Sequence, residues 1–325
     1  MKTARVLGAG VAGLCVAAEL VARGCAVTVS DTATQPGPHA CSWWAGGMLA
    51  PFCEGDTADE LVVRLGQTAA DWWEGQGVAV TRQGTIVVTL GRDRKELDRF
   101  ARRTQGHFWL DTDGLTALEP DLAGRFERAL HVPAEAHLDP RAALKHLRDR
   151  LEQAGVDFVA EPSQADGLTF DCRGLSARDA LTDLRGVKGE MVVLRSTDLR
   201  LTRPVRLLHP RFPLYVVPRT DGLFMLGATQ IESDDRRRSV RSVMELLSAA
   251  YALHPSFGEA ELVEIGADAR PAFPDNLPRI TRRGYTIHVN GLFRHGFLLA
   301  PALARMAVET AFDGTKPELL HEDHA

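Results

Sequence analysis

Three glycines spaced Gly8-x-Gly10-x-x-Gly13, with Asp31 about twenty residues further on, are the first residues whose types and spacing could do chemistry. Gly8 suits a tight turn. Gly10 lets a pyrophosphate approach the backbone at a helix N-terminus. Gly13 lets that helix pack closely on a strand, and Asp31 can accept hydrogen bonds from ribose hydroxyls. The set describes a dinucleotide site. An acid at position 31 would repel a 2′-phosphate, which argues against NADP, but glycines and acid alone do not separate NAD from FAD.

Two further stretches carry polar groups in apolar surroundings. In "HACSWWAGGMLAP" (His39 to Pro51), Cys41 and Ser42 could donate to a pyrophosphate or ribityl chain. The pair Gly46-Gly47, beside Met48, allows a flat ring to lie against the backbone. Read alone, the stretch is equally a loop with two core tryptophans, Trp43 and Trp44. In "ADARPAFPDNLP", Arg270 is kept extended by Pro271. A guanidinium can grip a carboxylate with two parallel hydrogen bonds; a surface salt bridge is the equal alternative. Near the end, "GLFRHGFLLAPALA" is an apolar run interrupted by Arg294 and His295.

The elements that must position these residues can be read from periodicity. "ARVLGAG", "VAGLCVAAELVARG" and "CAVTVSD" read as strand, helix and parallel strand, the helix stopping at Gly24. "TRQGTIVVTL" is a strand after a turn, and "RDRKELDRFARRT" an exposed helix. "LDPRAALKHLRDRLEQAGVDFVA" is a helix capped by Asp139 with Pro140 in its first turn, then a strand. "GVKGEMVVL" is a strand. "LYVVPRTDGLFMLGAT" is a hairpin with a Thr-Asp-Gly turn. "SVMELLSAAYALHPSF" is a helix. "GYTIHVNGLF" is a strand, followed by a closing helix that starts near Leu298 to Pro301 and points its free N–H groups at whatever precedes it.

Composition sets limits. The chain has 325 residues, 45% of them apolar, and a net charge of −5. Phosphate neutralisation of nucleic acid does not suit that charge. Five cysteines without metal-ligand spacing fit a reduced compartment, and the expected localisation is cytoplasmic. No metal site is expected. No signal peptide and no apolar run of about eighteen residues is visible. "DDRRR" (Asp234 to Arg238) reads as a solvated loop, and the tail "HEDHA" as frayed.

The fingerprint, "AGGML", "YVVPR…GLFMLGAT", "ARPAFPDNLP" and "GLFRHGFLLAP" occur in the collinear order of one family. The chain resembles the FAD-dependent D-amino-acid oxidase superfamily, and within it the glycine oxidase branch of thiamine biosynthesis. The resemblance implies an α/β fold: a Rossmann-type FAD-binding domain plus an α+β substrate domain with a large mixed or antiparallel sheet. The expected division is 1–80, 131–182 and 265–325 for the first domain, and 81–130 and 183–264 for the second.

The implied function is oxidative deamination of glycine or a small amino acid to an imine, with O2 reduced to peroxide. The imine would supply the thiazole part of thiamine. Alternatives are a sarcosine or D-amino-acid oxidase, a dehydrogenase using another electron acceptor, or a flavin-binding subunit without activity. FAD would be held non-covalently by Gly8, Gly10, Val11, Ala12, Gly13, Asp31, Thr32, Cys41, Ser42, Gly46, Gly47, Met48, Gly174 and the run Leu292, Phe293, Arg294, His295, Gly296, Phe297 and Leu298. Arg270 would clamp the substrate carboxylate, with Tyr215, Arg294 and Met48 beside it. Arg294 would serve both the carboxylate and the negative charge of a reduced flavin, and His295 would contribute backbone contact. Arg219 would make a structural salt bridge. No side chain is expected to act as general base, and a homo-oligomer is left open. "DCRG" replaces the family's usual "ATG" near Cys172. The stretch between Ala160 and Leu168 lacks a hairpin, which implies a more open adenine end. His209 is expected at the surface.

Overall fold

In the computed structural model, which describes residues 2–160, 167–209 and 213–322, strand Thr3–Leu7 runs straight into Gly8 and helix Val11–Ala22. The helix is apolar nearly all round, and it is buried nearly all round, from Val11 to Leu20. Gly8 has φ +95°, a conformation that only glycine adopts without strain. A β-carbon at Gly13 would lie 1.8 Å from the carbonyl oxygen of Gly8, so only glycine lets the helix sit this close to the turn.

Seven strands form one sheet in the order Leu320–Glu322, Arg279–Arg283, Thr286–Asn290, Leu168–Asp171, Thr3–Leu7, Ala26–Ser30, Asp157–Val159. The five central and distal strands, from Thr286–Asn290 to Asp157–Val159, are parallel. The chain returns to this sheet by helix Pro140–Gln153, whose Asp139 side chain accepts from the backbone of Arg141 and Ala142, as the sequence predicts. The closing helix packs on Val11–Ala22.

The second, nine-stranded sheet is mostly antiparallel. Its long spine pairs Arg185–Arg195 with Glu261–Ala272. The predicted hairpin is strands Leu214–Pro218 and Leu223–Gly227 around Asp221 and Gly222, both at positive φ. Strand Thr85–Thr89 lies parallel to Val205–Leu208, so this sheet is mixed. A three-stranded patch joins Met48–Leu49, Ala136–Leu138 and Val80–Thr81.

Several expectations need correction. The closing helix starts at Gly296, earlier than expected, and Pro301 lies inside it. Proline cannot donate to the carbonyl four residues back. Here that carbonyl, of Phe297, accepts instead from the indole N–H of buried Trp73 at 2.9 Å, so the helix runs through. The expected break at 265 falls inside strand Glu261–Ala272, which stays in the larger sheet to its end. The start of the tail is not frayed: Leu320–Glu322 pairs in parallel with Arg279–Arg283. Residues 161–166, where the missing hairpin was read, lie outside the described residues.

Candidate active site

A cavity of about 1010 Å³ opens where the parallel strands end at Leu7, Ser30, Cys172 and Val289. Its far wall is the larger sheet, through Gly189, Tyr215, Asp268 and Arg270. This is the crevice in which open α/β sheets bind dinucleotides. The volume matches the top of the usual range of about 300–1,000 Å³ for ligand sites.

The nucleotide half is built from the predicted residues. Gly10 caps helix Val11–Ala22 without any side-chain hydrogen bond, so the first backbone N–H groups are left for a ligand. Ser42 stands beside it: a β-carbon at Gly10 would lie 3.7 Å from its Oγ, which is buried and has no hydrogen-bond partner. Asp31 accepts from the N–H of Ala9 and from the Thr32 hydroxyl, and Asp31 and Thr32 line the cavity. Cys41 lines it too, its thiol pushed up to about 12 by burial and then by Asp268. Gly46, Gly47, Met48, Gly174 and the whole run Leu292 to Leu298 are also on its wall. Trp43 and Trp44 are half-buried, Trp44 packs against the cluster of Met191, Val193 and Met225, and Arg141 stacks on both tryptophans. The ring of Trp44 lies flat on the larger sheet, where a β-carbon at Gly266 would come within 2.1 Å of it.

Six arginines line the cavity: Arg173, Arg206, Arg236, Arg241, Arg270 and Arg294. Five have carboxylate partners: Asp171 for Arg173, Glu54 for both Arg206 and Arg294, Asp268 for Arg236, and Glu245 for Arg241. Arg270 forms no ion pair with any described residue; it donates only to the carbonyl of Thr229, at 3.2 Å. Burial, the largest influence, pulls its pKa down from the usual arginine value. Tyr215 is beside it, its phenol raised by burial. Two glycines make room for the Tyr215 side chain: a β-carbon at Gly46 would lie 2.7 Å from its ring, and one at Gly227 would lie 2.7 Å from its hydroxyl.

Glu54, at the end of the short helix Pro51–Glu54, is the residue that sequence reading missed. It is 8% exposed. Its Oε1 accepts from Arg206 at 2.8 Å, and its Oε2 meets Arg294 at 2.8 Å and His295 at 3.0 Å. Burial alone would raise this carboxyl. The charges of Arg294 and Arg206 and the His295 hydrogen bond hold it well below the usual range instead. The expectation for Arg294 is therefore corrected: it lines the cavity, but its guanidinium is taken by Glu54 and Thr57. His295 differs as well, since its buried ring joins the network. Arg219 does bind structurally, to the Gly46 carbonyl and to Asp139 at 3.6 Å. "DDRRR" is not wholly solvated: Arg236 reaches the nearly buried Asp268 at 2.7 Å. His209 is half-buried, within 3.4 Å of Arg92.

Crevice, fingerprint and a guanidinium without a carboxylate partner among the described residues describe a dinucleotide-binding enzyme with a receptor for a small anion. The chain belongs to the DAO family of FAD dependent oxidoreductases, whose model matches residues 4–310. Its relatives include the "Putative thiamine biosynthesis oxidoreductase ThiO" of Rhizobium etli, 56% identical over 305 residues, covering 92% of this chain and 93% of that one. The glycine oxidase of Geobacillus kaustophilus is 27% identical, covering 95% and 94%. The crystal structure of glycine oxidase from Bacillus cereus superposes with a TM-score of 0.82 at 20% identity, over 98% of this chain and 99% of that one, and shows the fold. FAD is thus the family's cofactor, and the free helix N-terminus with the unpartnered Ser42 Oγ fits its pyrophosphate. Among the described residues no group of metal-ligating side chains is present, and no helix is long and apolar enough to cross a membrane.

Proposed function

We propose that the chain oxidises glycine, or another small amino acid, to its imine, with O2 as the electron acceptor, and so provides the imine for thiamine thiazole. The observation that carries this is Arg270: of six cavity arginines it alone lacks a carboxylate partner among the described residues. A desolvated guanidinium in that state is a receptor for a ligand carboxylate. The name and high identity of the Rhizobium etli relative support the pathway.

Gly8, Gly10, the free N-terminus of helix Val11–Ala22 and the Leu292–Leu298 run would hold FAD, which would supply a two-electron acceptor that dioxygen can reoxidise to give peroxide. The chain does the positioning. Arg270 fixes the substrate carboxylate through its fork, and Tyr215 offers its phenol to the same group. With the carboxylate held, the Cα–H is directed toward the strip where Gly46, Gly47 and the Leu292–Leu298 run leave room for a flat ring. The substrate amine has to be neutral when its Cα–H is broken. No side chain is assigned to take that proton, since His295 is already held by Glu54.

We assign cofactor binding to the stretches bearing the seven-stranded sheet, roughly 1–80, 131–182 and from 273 onward, and substrate binding to the rest. The flavin is held without a covalent bond, so acid precipitation should release it to the supernatant. The five unpaired cysteines suit a reducing cytosol. The deciding experiment measures peroxide from glycine, sarcosine and D-alanine with the purified yellow protein. Turnover of glycine with the highest kcat/KM supports the reading. Peroxide from none of them, with flavin bound, overturns it.

A further inference from the structure

We infer that Glu54 sets the charge of the substrate this site accepts: an amino acid with one carboxylate and no second anion. The inference rests on the amino-acid oxidase reading above and concerns the part of the cavity wall around Tyr215 that carries Glu54. Tyr215 shares this corner of the cavity, and its phenol feels Arg270, Arg206, Glu54 and Arg294 together. Three guanidiniums so close would attract a dianion as readily as a monoanion. Glu54 occupies two of them with ion pairs, although its single charge cancels only one. Each of its oxygens is occupied, Oε1 by Arg206 and Oε2 by Arg294 and His295. Its depressed pKa keeps it ionised at any physiological pH. Arg206 is anchored further by donating to the Cys53 carbonyl at 3.0 Å, and Arg294 by donating to the Thr57 hydroxyl.

The network therefore holds one buried negative charge against two positive ones from separate parts of the chain. Arg206 comes from the larger sheet and Arg294 from the turn before the closing helix. A second carboxylate on the substrate would have to sit beside Glu54 or break both of its ion pairs. Like charges at close quarters in a desolvated site are strongly disfavoured. Removing the Glu54 charge leaves Arg206 and Arg294 in place and unpaired, so the same wall becomes a second carboxylate receptor.

The test compares ligands that differ by one carboxylate. Sarcosine and iminodiacetate differ only in that the N-methyl group of the first carries a carboxylate in the second. Acetate and malonate make the same comparison without turnover, read as a perturbation of the flavin absorbance. Wild-type holoenzyme should prefer sarcosine to iminodiacetate and bind acetate more tightly than malonate. Glu54→Gln should raise the iminodiacetate-to-sarcosine ratio of kcat/KM, and the malonate-to-acetate ratio of affinities, by about tenfold or more. Salt should erode that gain. Glu54→Asp should keep the wild-type ratios. Ratios that do not move in Glu54→Gln overturn the inference. If that variant loses its flavin, the wild type still decides, because malonate bound as tightly as acetate also overturns it. Absence of any amino-acid turnover by the wild type would instead defeat the oxidase reading.

Discussion

Gly189 and Arg270 approach so closely that a β-carbon on the first would lie 2.0 Å from Nη2 of the second. They project from the same face of the paired strands Arg185–Arg195 and Glu261–Ala272. The bare glycine is the bed on which the guanidinium lies flat. Gly189→Ala should push Arg270 off the Thr229 carbonyl and out of line with the substrate. The expected result is a KM for glycine raised about ten- to a hundredfold, equivalent to roughly 1.4–2.8 kcal/mol, with flavin content unchanged. Arg270→Ala should cost more, roughly 2–5 kcal/mol in kcat/KM, and Arg270→Lys should recover little, because a point charge cannot replace the fork. Normal glycine affinity in either Arg270 variant would make that residue structural.

Asp31 holds the end of its strand to the fingerprint loop through the N–H of Ala9. Asp31→Asn should weaken FAD retention by about 1.5–3 kcal/mol, the worth of a charge-assisted hydrogen bond. Equilibrium dialysis of the apoprotein with FAD reads this directly. Flavin affinity equal to wild type would refute the ribose assignment.

Trp73→Phe should leave the Phe297 carbonyl buried without a donor, at a cost of about 1–3 kcal/mol. The melting temperature should fall accordingly. Adding Pro301→Ala should recover part of the loss, because residue 301 then regains the N–H that bonds Phe297. A double variant no more stable than Trp73→Phe would show that the indole acts by packing alone.

His137 and Asp171 predict a two-stage acid response. Burial, assisted by Arg219, lowers His137 from 6.5 to about 4. The unfolded chain therefore takes up a proton that the folded chain refuses. Stability linked to His137 is complete above pH 6.5 and declines as pH falls toward 4, by at most about 3 kcal/mol. Burial pushes Asp171 up, but bonds from His288 and Arg173 outweigh it and bring the carboxyl from 3.8 down to about 2. Its contribution is present above pH 3.8 and disappears toward pH 2. His137→Gln should flatten the upper stage in urea titrations run across pH, and leave the lower one.

What the sequence made legible was local. The fingerprint, its helix, Asp31, the Asp139–Pro140 cap and the Thr-Asp-Gly hairpin each follow from neighbours a few residues apart. Arg270 was legible as a candidate because Pro271 fixes its backbone. Glu54 was not, since its partners lie about 150 and 240 residues away and charge pairing across a fold has no period. A glutamate directly after the apolar Pro51-Phe52-Cys53 was the one available hint. The start of the closing helix was misplaced because Pro301 reads as an N-terminal signal, and its remedy, Trp73, is remote in sequence. Arg236 looked solvated because its buried partner Asp268 belongs to another strand.

The seven-stranded sheet draws on stretches 3–30, 157–171 and 279–322, which leave the ribosome far apart in time. A nascent chain displays Gly8, Gly10 and Gly13 about 280 residues before the floor from Leu292 to Leu298 is made. Until then the apolar helix Val11–Ala22 has no closing helix to cover it, and it presents a sticky surface to chaperones. The cavity wall that both stretches share is therefore complete only once Leu298 has been made. Cells starved of riboflavin should accumulate full-length, flavin-free chain that is degraded faster than the loaded enzyme.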